Sequence, residues 1–253
     1  MNLILLEPEE AETPQPVVLR DRRAAHVVDV LGAVPGDTLR VGVVDGKAGH
    51  AEVVAAERGR VVISPPVLDR DPPAPWFDIL LAMPRPKVLH RMWAPLASLG
   101  ARRITVVNAA KVEKFYFDSH WLSPDTYAPL LREGMEQSGT TFMPQVEIRR
   151  RFRPFIEDEV PVLFADSPKL AAHPYAGVPP PKFTQDPEPG AALPLVAIGP
   201  EGGWTDFELA LLANAGFSPF SIGRRPLRTD VAAIAIISSL AAYASDACPE
   251  TSK

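Results

Sequence analysis

Residues 198–208 read IGPEGGWTDFE. The apolar run LPLVA (193–197) precedes them and the apolar-periodic stretch ELALLANAGF (208–217) follows. A plain strand-to-helix connection needs at most one glycine, yet residues 199–203 hold three glycines and a proline. Thr205 and Glu208 have the spacing of a capping box, in which each side chain satisfies the other's backbone amide. GPEGGW is therefore predicted to run from the carboxyl end of a strand into a helix N-terminus, where open α/β sheets bind ligands. It lacks the Lys-Ser/Thr of a phosphate-cradling loop and the spacing of a dinucleotide fingerprint.

A second stretch, SIGRRPLRT (221–229), repeats the arrangement, with Thr229 expected to cap the last helix. Two glycine loops at strand ends predict a shared pocket for a flat ligand. Gly199 and Gly223 would line it, because a backbone without Cβ permits close approach. Outward from these loops, strands and helices alternate. FDILLAM (77–83), RITVVN (103–108), PQVEI (144–148), VPVLFA (160–165), LPLVAIG (193–199) and FSPFSIG (217–223) read as strands. KVLHRMWAPLASLG (87–100), SPDTYAPLLREGMEQSG (123–139), TDFELALLANAG (205–216) and TDVAAIAIISSLAAYA (229–244) read as helices. In the first, Val88, Leu89, Met92, Trp93, Leu96 and Leu99 share one face, Pro95 threatens a kink and Gly100 suits the end. Such alternation implies α/β architecture with a mostly parallel sheet.

The first seventy residues differ. Residues 35–67 place Pro-Gly-Asp and Asp-Gly turns between Val-rich runs, the pattern of a small antiparallel barrel. The polar, proline-rich DRDPPAP (69–75) reads as a linker, giving domains at 1–70 and 76–253. Residues 174–194 read as a proline-rich loop.

Composition narrows the function classes. The chain has 253 residues, 46% hydrophobic and 23% charged, as expected of a soluble globular protein with a real core. No apolar run is long enough to span a bilayer, and the acidic start MNLILLEPEEAE lacks the basic region of a signal peptide. The single Cys248 offers neither a disulfide nor a cysteine-rich metal site, so a cytoplasmic setting is expected. The net charge of −5 argues mildly against nucleic acid, but cations cluster. Residues 85–114 hold Arg85, Lys87, Arg91, Arg102, Arg103, Lys111 and Lys114 against Glu113 alone, and RRRFR (149–153) and RRPLR (224–228) follow.

Three segments carry a resemblance. IGPEGGWTDFE, SIGRRPLRTDVA and the upstream GMEQSGTTFMPQVEI (134–148) resemble the signature segments of the RsmE family of SPOUT methyltransferases. HVVDVLGAVPGDTLRVGVVDG (26–46) resembles that family's PUA-like RNA-binding barrel. The resemblance implies methylation of a uridine at N3 in small-subunit (16S-type) ribosomal RNA, with S-adenosylmethionine as methyl donor and no metal. It also implies a C-terminal trefoil knot and a homodimer. On it rest a cofactor site of Phe164, Ile198, Gly199, Gly202, Ser221, Ile222, Gly223, Leu227 and Thr229, and RNA contacts from Arg22, Arg23, Arg85, Lys87 and Arg91. The family's Ile-Leu-Arg and Thr-Glu-Thr-Ala are replaced here by Pro226-Leu227-Arg228 and Thr229-Asp230-Val231-Ala232. These departures bear on any role that needs the longer carboxylate or the hydroxyl.

N3 of uridine is a nucleophile only after it loses its proton, so something must stabilise the charge that develops on the ring carbonyls or accept the proton. Arg228 is the first choice for charge stabilisation, because its fixed fork of donors suits a uracil edge or a phosphate. Glu201 is the candidate to orient the cofactor or take the proton, with bracing of the loop as its structural alternative. Trp204 is a stacking candidate or a packing residue, and His26 and His90 read as surface or packed side chains. Two other activities compete: 2′-O-ribose methylation within SPOUT enzymes, and a non-catalytic RNA-binding assembly factor.

Overall fold

The computed structural model describes residues 3–12 and 14–242, which form two compact units. Of these residues, the first unit comprises those up to 73 together with Ala128–Met143, and the second the others. The segment 128–143 thus leaves the second domain to which the sequence reading gave it.

In the first unit the strands are β1 (Ile4–Leu6), β2 (Val17–Leu19), β3 (Thr38–Val43), β4 (Ala48–Glu57), β5 (Arg60–Ile63) and β6 (Val67–Arg70). They pair in the order β1-β3-β4-β5-β2, with β6 also on β4. The predicted turns flank β3, at Gly36 with φ 97° and at Asp45 with φ 55°; a further turn at Gly59, φ 81°, joins β4 to β5. Gly49 admits no side chain, since a Cβ there would lie 1.7 Å from the Val67 carbonyl oxygen of β6. The expected all-antiparallel barrel is corrected at two places. β1 runs parallel to β3, and residues 22–30 are helical, with Ala24 and Val27 buried. Ile4, Leu6, Leu19, Val41, Val53, Val61 and Ile63 fill the core.

The second unit is built on β7 (Phe77–Ala82), β8 (Ala101–Val107), β9 (Gln145–Arg149), β10 (Lys169–Ala172), β12 (Leu195–Ile198) and β13 (Ser218–Phe220). All are parallel, in the order β13-β10-β12-β7-β8-β9. The two-residue strands β11 (Phe183–Thr184) and β14 (Ala241–Ala242) pair apart from it. β7 and β12 are buried throughout, as expected of central strands covered on both faces. Its helices are α1 (Pro86–Ser98), α3 (Asp206–Asn214) and α4 (Thr229–Leu240), while α2 (Pro124–Ser138) belongs to the first unit from Ala128 onward. α1 buries Leu89, Met92, Trp93 and Leu96 and contains Pro95. It stops before Gly100, whose φ of +88° suits glycine and whose Cβ would press on Trp76 at 2.9 Å.

Two strand readings change. Residues 160–165 are not a strand: Val160–Leu163 is the last turn of a helical run from Phe152, with Pro161 in its first turn. A short apolar run does not distinguish strand from buried helix by itself. In its place KLAA (169–172) forms β10, between β12 and β13, where its brevity hid it.

Candidate functional site

Three strand-end loops of the second unit meet. The loop after β12 is fixed first by the capping box. Thr205 Oγ1 accepts from the Glu208 amide at 3.3 Å, and Glu208 Oε2 accepts from the Thr205 amide at 2.8 Å. Glu208 is 3% exposed, and its other oxygen accepts from the Ala110 amide at 2.7 Å, so α3's N-terminus is tied to the end of β8. Glu201 Oε1 accepts from the Arg85 amide at 3.0 Å, which ties the loop to the start of α1. The loop-bracing reading of Glu201 is thereby realised in the geometry.

The loop after β13 is held to a loop that the sequence did not single out. His173 follows β10, and its amide donates to the Phe220 carbonyl at 2.9 Å. Ser221 Oγ lies 2.9 Å from the Pro174 carbonyl and accepts from the Gly223 amide at 3.1 Å. Gly223 stands at φ +146° with nothing within 4 Å of the place a Cβ would take, a conformation that side-chain-bearing residues rarely adopt.

These loops enclose a cavity of about 360 Å³, within the size range of small-molecule sites. Of the predicted cofactor residues, Ile198, Gly199, Gly202 and Ser221 line it, as do Ile222, Gly223, Leu227 and Thr229. Glu201 lines it as well. Phe164 does not. Its ring is 1% exposed and packs under the Arg103 guanidinium, 5.4 Å away, because it ends the helical turn rather than a strand. Lys111, His173, Tyr175 and Arg225 also line the cavity. His173 and Tyr175 were missed because β10 was; their rings meet edge-on at 5.9 Å.

Trp204 is 6% exposed, packing 5.5 Å from the Phe152 ring and against Gly199, where a Cβ would lie 3.2 Å from Nε1. It is a packing residue of the cavity wall. Thr229 is corrected from cap to first helical residue: Arg228 has the extended cap conformation, and Thr229 is buried.

Arg228 lies outside the cavity lining, with its side chain 69% exposed and Nη2 3.4 Å from Asp230. Arg91 reaches the same carboxylate from α1 at 2.9 Å. Burial pushes the Asp230 carboxyl up, but the Arg91 and Val231 hydrogen bonds and the two guanidinium charges prevail and hold it below the ordinary aspartate value. Arg85, at the N-cap of the helix that carries Arg91, and Lys87 within it are exposed. In the first unit, Arg22 is half exposed and pairs with buried Glu136 at 2.8 Å. Arg23 is not free for phosphate: it is 12% exposed and held by Glu10, Asp21 and the Leu5 carbonyl. His90 packs on Trp121, with ring centroids 3.9 Å apart. Among the described residues no group of three or more His, Cys, Asp or Glu is placed to hold a metal. Cys248 lies outside the described residues.

The family described as RNA methyltransferase domain matches residues 72–241. The ribosomal RNA small subunit methyltransferase E of Treponema pallidum is 31% identical over 243 residues, covering 93% of this chain and 88% of its own length. The chain belongs to the ribosomal RNA small subunit methyltransferase E family. A second member, methyltransferase E 1 of Borreliella burgdorferi, is 26% identical over 93% of this chain and 95% of its own. Among solved structures, the methyltransferase E of Neisseria gonorrhoeae bound to S-adenosyl methionine superposes with TM-score 0.71 at 22% identity, over 94% of this chain and 96% of that one. A putative methyltransferase of Legionella pneumophila, in complex with the same cofactor, gives TM-score 0.66 at 24% identity, over 95% and 96%. The methyltransferase E fold therefore extends over nearly the whole chain.

Proposed function

We propose that this protein transfers the methyl group of S-adenosylmethionine to N3 of a uridine in small-subunit ribosomal RNA. Family membership supports an S-adenosylmethionine-dependent ribosomal RNA methyltransferase. The observation that carries the assignment of the site is the cavity at the ends of β10, β12 and β13, bounded by glycine loops. It fits an adenosine-bearing ligand. Buried apolar side chains such as Ile198 and Phe220 form one wall, and at Gly223 the absence of a Cβ leaves room beside backbone donors.

Bound S-adenosylmethionine supplies a methyl group already made electrophilic by its sulfonium. The chain's task is to place one uracil against it and to manage one proton. N3 lies on the Watson–Crick edge, so the base must be unpaired or turned out of its helix first. In this reading Arg228, which pairs with Asp230 between the lining residues Leu227 and Thr229, donates to the uracil carbonyls and favours the N3 anion. Such a preorganised cation acts where charge develops. Glu201, braced by the Arg85 amide, holds the loop in shape and presents a carboxylate to the cavity.

Arg85, Lys87 and Arg91 extend a cationic edge along α1 towards RNA phosphates, and Arg22 serves the first unit, read as a PUA-like RNA grip. The knotted crossing of the two loops and a cytoplasmic location belong to the same reading. Among the described residues no helix is long and apolar enough to cross a membrane. The same reading includes a homodimer, supported by α4, which buries Ala233, Ile236, Ile237 and Leu240 yet leaves Val231 49% and Ile234 42% exposed. That outer stripe is suited to a second copy, and light scattering that gives a monomer mass at micromolar concentration would count against it.

The test of the whole is transfer of a labelled methyl group. The protein is incubated with methyl-labelled S-adenosylmethionine and small-subunit ribosomal RNA, free or assembled. Label in the RNA is expected, and none with either substrate overturns the proposal.

A further inference from the structure

Lys111 lies in the loop after β8, two places from β12 in the sheet, and it lines the cavity. It therefore marks the cavity's β8-side end, opposite the loop that follows β13. Its stem packs on the glycine turn: a Cβ on Gly202 would lie 2.9 Å from Lys111 Cδ. Its Nζ donates to the Gly202 carbonyl at 2.8 Å. A lysine ammonium has three N–H donors, and the other two meet no acceptor among the described residues. The residue before Gly202 in the turn is Glu201, whose position the Arg85 amide fixes. One end of the cavity thus presents a tethered cation beside a carboxylate, and the other end presents Ile222, Leu227 and Arg225 without a lining carboxylate on that loop. A cation paired with a carboxylate matches the amino-acid zwitterion of a ligand whose other end is a nucleoside.

We propose that Lys111 anchors the α-carboxylate of the cofactor's methionyl end, a role that rests on the S-adenosylmethionine reading above. The tether to Gly202 holds the ammonium in place before the ligand arrives, so little side-chain freedom is lost on binding. The other cation of the lining, Arg225, stands on the loop after β13, at the nucleoside end, and is not assigned this contact.

The test is calorimetric titration of wild type, Lys111→Met, Lys111→Arg and Arg225→Met with S-adenosylmethionine and with its decarboxylated form, which keeps the sulfonium and the amine. A hydrogen bond to a charged group predicts that Lys111→Met binds S-adenosylmethionine about ten-fold more weakly. Its affinity for the decarboxylated form should stay at the wild-type value. Lys111→Arg should keep most of the preference for the carboxylate, and Arg225→Met should leave that preference unchanged. Equal weakening towards both ligands would mean that Lys111 only braces the glycine turn, and overturns the inference. So does an unchanged affinity for S-adenosylmethionine in Lys111→Met, with the cofactor reading left standing. Wild type that binds neither ligand overturns the inference and the cofactor reading together.

Discussion

Asp230 Oδ2 accepts a hydrogen bond from Arg91 Nη2 at 2.9 Å and lies 3.4 Å from Arg228 Nη2. One carboxylate thus holds a guanidinium of α1 beside the residue that caps α4. This is where the chain departs from its family's Thr-Glu-Thr-Ala. The shorter aspartate is long enough for both contacts, and Val231, which replaces the hydroxyl-bearing residue, is 49% exposed.

Arg228 sits at the cavity's edge rather than in its wall, which separates its effect on chemistry from any effect on cofactor binding. Arg228→Ala should keep cofactor affinity within a few-fold and slow single-turnover methyl transfer by about 10²–10³-fold. Arg228→Lys should recover little, because a point charge cannot replace the fork. Rapid-quench measurements at saturating RNA read this directly. An unchanged rate would reduce Arg228 to a phosphate anchor.

Gly223 is the cleaner of the two glycine tests. A side chain at Gly199 would press on the Trp204 ring, 3.2 Å away, whereas at Gly223 there is open space and only the φ of +146° to violate. Gly223→Val should therefore keep the wild-type fold by circular dichroism while losing cofactor binding in titration. A variant that binds normally would remove the loop after β13 from the pocket.

Much of this was legible in the sequence because it is local. The capping box of Thr205 and Glu208 follows from spacing alone, as do the helix of Pro86–Ser98 and the burial of FDILLAM. What was not legible depends on partners distant in sequence. KLAA carries no strand signal of its own and becomes β10 only because β12 and β13 supply its hydrogen bonds, so His173 and Tyr175 stayed hidden. Arg23 looked like a free cation until Glu10, Asp21 and the Leu5 carbonyl enclosed it. Phe164 was assigned to the cofactor, and the helical turn that precedes it turned its ring into the core.

Glu136, 1% exposed, gives a pH prediction. Burial raises its carboxyl above the ordinary 4.5, although Arg22 and Arg23 oppose the shift. Below pH 4.5 the carboxyl is protonated in both the folded and the unfolded chain, and burial costs nothing. As pH rises the unfolded chain gives up this proton first, so the contribution of Glu136 to stability falls until the folded carboxyl ionises, and is constant above that. Glu136→Gln lacks this loss, and Arg22, being half exposed, remains solvated. Denaturant midpoints should show the variant gaining on wild type as pH rises through and above 4.5, until the folded carboxyl ionises. A variant that loses ground as pH rises above 4.5 contradicts the assignment.

The most direct test of the central claim is the identity of the methylated nucleoside. Small-subunit ribosomal RNA lacking the modification is incubated with the protein and S-adenosylmethionine, digested to nucleosides and separated by mass spectrometry against standards. The account predicts 3-methyluridine, formed with wild type and sharply reduced with Arg228→Ala. A 2′-O-methylated nucleoside, or RNA that gains no methyl group while the protein still binds it, would contradict the account.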